Sequence, residues 1–74
     1  MVEVSVSREV SKEPEWLRRL AVAKARSILE ASFKGTVNAA RVESIVWDAE
    51  RSHVHMDVRL TPALTNVGLS FGVD

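Results

Sequence analysis

Three stretches of this chain alternate strictly between apolar and polar or very small residues. They are Val2, Val4, Val6; then Val54, Met56, Val58, Leu60; then Val67, Leu69, Phe71, Val73. A period of two over such lengths describes strands with one dry face and one wet face. Between the first stretch and the rest, the pattern changes to a helical one. Leu17, Leu20, Ala21, Ala25, Ile28, Leu29 and Ala31 form one stripe on a 3.6-residue wheel. Glu15, Arg19, Arg26, Glu30 and Lys34 gather opposite, with Glu15–Arg19 and Glu30–Lys34 spaced i,i+4 and the acid first.

Local signals bracket that helix. Pro14 suits the first turn, where Ser11 or Glu13 can cap, and Gly35 follows the last turn as a C′ residue. The first strand runs over Val2–Val6, with an extension toward Val10 open. After the helix come strands at Ala40–Trp47, His53–Thr61 and Val67–Val73, joined by the short polar connections Ala49–Ser52 and Pro62–Asn66. The expected fold is α+β, a two-layer β-α-β-β-β domain spanning residues 1–74. One amphipathic helix lies on a mainly antiparallel sheet, and the first two strands run parallel.

The stretch from Val42 to Trp47 does not fit a single dry face. In a regular strand Val42 and Val46 project one way, Ile45 and Trp47 the other. A four-residue loop at Ala49–Ser52, favoured over a seven-residue one that would do the reverse and expose the tryptophan, places Trp47 opposite Val54 and Ile45 opposite Met56. Ile45 and Trp47 then enter the core, and Val42 and Val46 stand outside beside His55 and Arg59. Such an outer apolar patch suggests a surface that another molecule covers.

Composition narrows the classes of function. The 74 residues contain no cysteine, so disulfides, thiolate chemistry and Cys-based zinc sites are absent. A domain this small needs good packing, a ligand or self-association in their place. Ten basic and ten acidic residues balance, leaving no long-range field for nucleic acid or an anionic membrane. The chain shows neither a membrane-spanning apolar run nor a signal-peptide core, and a cytoplasmic location is expected.

Few residues suggest chemistry. His53, His55 and Asp57 sit at i, i+2 and i+4 of one strand, so two imidazoles and a carboxylate share a face and could begin a metal site. No further histidine exists to complete it, and no metal is assigned. Lys24 falls within the apolar helical stripe, where its methylenes can lie along the core with the ammonium at the surface. No nucleophile elbow or phosphate-cradling glycine loop is present, and no catalytic residues are assigned. Gly68, Ser70 and Gly72 form a flat outer face on the last strand, which with an unpaired edge invites close approach by another backbone.

The layout resembles that of dodecins, small βαββ proteins that assemble into hollow dodecamers and hold flavins. The likeness covers about Val4 to Thr61. Val-Ser-Val-Ser leads into a helix with the small-residue core Ala21-Val22-Ala23-Lys24-Ala25, then a long hairpin with an acidic turn at Asp48. The resemblance implies flavin-type binding and storage, with Trp47 as the aromatic nearest such a role. The family's stacking tryptophan, however, falls near Gly35–Thr36 and its glutamine near Ala40–Arg41, and Val67–Val73 has no counterpart there. A looser likeness, through Arg41-Val42-Glu43-Ser44-Ile45, is to strands of phage baseplate wedge proteins. The residues themselves favour a non-enzymatic, homo-oligomeric assembly or interaction module. It would associate through the outer sheet face and edge, at Val42, Val46, His55, Gly68, Ser70 and Gly72, with no cofactor and the chain itself as partner.

Overall fold

The computed structural model describes residues 2–33, 35–62 and 65–73. Its order is β1 (Glu3–Val6), a 3-10 turn (Val10–Lys12), α1 (Glu15–Ser32), β2 (Ala39–Asp48), β3 (His53–Thr61) and β4 (Asn66–Gly72). The four strands form one mixed sheet in the order β1-β2-β3-β4. β1 pairs with β2 in parallel, and the two later pairings are antiparallel. The α+β, β-α-β-β-β reading therefore holds, with the helix packed on one face.

The alternating stretches supply that face. Val54, Met56, Val58 and Leu60 of β3 are all buried, and Val42 and Phe71 flank them on the neighbouring strands. From above, α1 contributes Leu17, Ala21, Ala25 and Leu29, spaced every fourth residue. The two alanines are fully buried, and their small side chains allow a close approach of helix to sheet. Ala31 departs from expectation: it is exposed.

The ends of α1 are built differently from the caps expected. Pro14 is the N-cap and offers no side-chain hydrogen bond. Its carbonyl instead accepts from the N–H groups of Leu17 (3.1 Å) and Arg18 (3.0 Å). Ser11 belongs to the 3-10 turn and donates to the Arg8 carbonyl, and Glu13 accepts from Arg18 Nε through its backbone oxygen at 2.9 Å. β1 stops at Val6, and Val10 is buried in the turn rather than in a strand. At the far end Phe33 is the C-cap, so Gly35 lies one position beyond the expected C′ place, where it adopts φ +82°. The Glu30–Lys34 pair lies outside the described residues.

The main correction concerns Val42. It has no exposed surface and pairs across the sheet with Val58, so it is core. The register shifts between Val42 and Ser44, a β-bulge with Glu43 as the extra residue. One added residue reverses the alternation, so Val42, Ile45 and Trp47 all reach the dry face. Ser7, the residue after β1, secures the bulge by donating its N–H to the Val42 carbonyl (2.9 Å) and its hydroxyl to the Glu43 carbonyl (2.9 Å). The expected pairings of Trp47 with Val54 and of Ile45 with Met56 are present, and Asp48 faces His53 across the four-residue loop.

Candidate interaction surface

The bulge removes most of the apolar patch expected on the outer face. Among the described residues Val46, which is 61% exposed, is the one large apolar side chain exposed on that face. Arg41 lies opposite Arg59, Ser44 opposite Asp57, and Val46 opposite His55, which itself faces Ser70 of β4. Of the six residues expected at an interface, Val46, His55, Gly68, Ser70 and Gly72 are exposed on this face and Val42 is not.

Exposed apolar surface is found instead around the rim of the dry side. Trp47 reaches the dry face only at its margin and is 41% exposed. Its indole meets that of Trp16, 54% exposed, edge to face at a centroid distance of 6.2 Å. A groove along Trp16, Leu20 and Ala23 continues from this pair, bordered by Glu15 and Arg19, which form an ion pair of 2.8 Å. Sequence reasoning located both indoles but not their meeting, because it depends on where the helix begins relative to the end of β2.

β4 closes one side of the sheet and, among the described residues, leaves its other edge open. The α1 backbone comes nearest to β1 and β2, and the inner residues Val67, Leu69 and Val73 are only half-buried. Phe71 is shielded in part by Lys24, whose ammonium lies 5.9 Å from the ring centroid. This is the surfaced lysine the helical stripe suggested.

The ladder geometry also shows where the β4 backbone groups point. The Leu60 N–H donates to the Thr65 carbonyl at 2.8 Å, and the Val73 N–H donates to the Ser52 carbonyl at 2.7 Å. Hydrogen-bonded positions alternate in an antiparallel pair. Val67, Leu69 and Phe71 therefore direct their backbone groups to β3, and Asn66, Gly68, Ser70 and Gly72 direct theirs away from the sheet. Strand edges are ordinarily protected by charge, proline, bulges or brevity. β4 runs for seven residues without a charged side chain, a proline or a register shift. The opposite edge, β1, has four residues and carries Glu3.

The candidate metal and cofactor residues are also placed. His53 and His55 share the outer face with their ring centroids 6.0 Å apart. The Asp57 carboxylate accepts from Asn66 Nδ2 at 3.2 Å. Among the described residues no group of three or more potential metal ligands converges, and no polar or charged side chain is buried. Trp47 packs against Trp16 rather than lining a closed cleft. Among the described residues no helix is long and apolar enough to cross a membrane.

Comparisons with protein-family models, with curated proteins and with solved structures gave no match.

Proposed function

We propose that this chain is a non-enzymatic assembly module whose copies join through the open edge of β4 and the surface beside it. The observation that carries the reading is the uncharged, unbulged seven-residue edge with four residues whose backbone groups point outward. An antiparallel pairing of β4 with its own copy would satisfy those groups. Such a contact is isologous and closes on itself, giving a dimer rather than a fibre. It would also extend the dry face past Val67, Leu69 and Val73, each half-buried in the single chain. The absence of side chains on Gly68 and Gly72 lets a second backbone approach without obstruction from the outer face.

Native mass spectrometry and sedimentation equilibrium over a concentration series test this reading. The wild-type chain should appear as a dimer. Ser70→Pro removes an outward N–H without touching the bonds to β3, so it should yield a folded monomer with an unchanged circular dichroism spectrum. A wild-type chain that remains monomeric throughout the series would refute the proposal.

A further inference from the structure

We propose that His53 and His55 form a two-donor chelate for a divalent transition ion of the Zn2+ or Cu2+ type on the outer face of β3. Both are strand residues separated by one position, and the intervening Val54 is fully buried, so the two imidazoles project on the same side. Their ring planes differ by 31°. Imidazole nitrogen is a preferred donor for these ions.

The His53 ring is already oriented for this role. Its Nδ1 lies 3.2 Å from the Arg51 carbonyl oxygen. A carbonyl only accepts, so the contact assigns the proton to Nδ1 and leaves the lone pair on Nε2. Metal-binding histidines commonly make this kind of contact through the nitrogen that does not bind the ion. The neighbouring strand leaves room for the ring, because His53 faces Gly72. A Cβ at that position would lie 3.5 Å from His53 Cε1. His55 faces Ser70, another small residue, and is itself exposed.

Charges of both signs surround the pair, with Arg51 just before His53 and Arg59 beyond Asp57 on the same face. Asp48 of β2 lies directly opposite His53, and Asp57 follows His55 on the same face. Asp48 Oδ1 accepts from the N–H groups of Glu50 and Arg51, and Asp57 from Asn66, so both stay outside the coordination shell. Zinc–imidazole bonds are about 2.1 Å long, and rotation of the exposed His55 side chain brings its nitrogen toward that of His53. Water fills the remaining positions. The chelate is complete within one chain and does not depend on pairing through β4.

Calorimetric titration with ZnCl2 in a non-coordinating buffer tests the site, with histidine ring signals followed by NMR. One ion should bind per chain and shift the ring signals of His53 and His55 together. Because the second donor binds intramolecularly, His53→Gln or His55→Gln should each weaken binding about tenfold or more. The affinity should not change with protein concentration, which separates this result from the outcome at the β4 edge. Absence of binding, or undiminished binding by His55→Gln, would overturn the proposal; thermal melts establish that each variant is folded.

Discussion

Val42 lies directly across the ladder from Val58, and neither has any exposed surface. That pairing exists because Glu43 is an extra residue in β2, which brings Val42 onto the dry face with Ile45 and Trp47. Removing Glu43 should therefore restore a regular strand without changing which side chains enter the core. We expect the deletion variant to fold cooperatively, losing about 1–2 kcal/mol with the bonds that tie the bulge to Ser7. Deleting Val46 instead would turn Trp47 to the outer face, and that chain should not give a cooperative transition. Urea titrations of both variants check the contrast.

The same bulge explains how far the fold was legible in the sequence. Val54 to Leu60 and Val67 to Val73 state their inward faces by alternation alone, and Leu17, Ala21, Ala25 and Leu29 state theirs by helical spacing. The four-residue loop before His53 set the correct register for Trp47 and Ile45. Nothing local to Val42 and Glu43 marks an inserted residue, because its anchor is Ser7, far away in sequence but adjacent in the sheet. The predicted outer patch failed for that reason. The flatness of Gly68, Ser70 and Gly72 and an unpaired edge beside them are both expected from the sequence, but the strand order β1-β2-β3-β4 is not, because short connections do not determine it.

Leu29 and Ala25 are both fully buried where α1 meets the sheet, yet they should respond to opposite changes in size. Leu29→Ala leaves a cavity and should cost about 2–5 kcal/mol. Ala25→Leu forces extra volume into a close helix–sheet contact and should cost about 1–3 kcal/mol. Denaturant unfolding of each variant measures both losses. A neutral Ala25→Leu would show that the helix does not approach the sheet as closely as described.

Gly35 follows a different rule because no atom lies within 4 Å of a Cβ built there. Its constraint is the backbone, at φ +82°. Gly35→Ala should therefore cost about 1–2 kcal/mol through left-handed strain alone. Gly35→Asn should cost less, since asparagine tolerates that region better. Equal melting temperatures for all three chains would remove the conformational explanation.

Trp16 and Trp47 contact each other at the rim, so replacing one should register in the other. Trp16→Ala should lower stability by more than the ~0.5–1.5 kcal/mol that an edge-to-face pair contributes beyond its buried area, because the half-buried indole surface is lost as well. The emission of Trp47 should also shift to longer wavelength as its shielded edge meets water. Core residues such as Val54 remain covered, so cooperativity should be preserved. Fluorescence during a denaturant titration reports both effects, and an unchanged Trp47 spectrum would argue against the indole contact.

Amide exchange separates the two sets of β4 residues. In the dilute single chain, the N–H groups of Val67, Leu69 and Phe71 are bonded to β3 and should exchange slowly. Those of Gly68, Ser70 and Gly72 point to solvent and should exchange rapidly, giving an alternation of fast and slow along one strand. Raising the concentration should slow the even-numbered set if copies pair through this edge, leaving the odd-numbered set unchanged. Leu69→Pro, which breaks a bond to β3, should destabilise the sheet far more than Ser70→Pro, although the two sites are adjacent. Uniform exchange along β4 would contradict the ladder phase derived from the Thr65 and Val73 hydrogen bonds. Persistent alternation at high concentration would leave that phase intact and count against edge pairing.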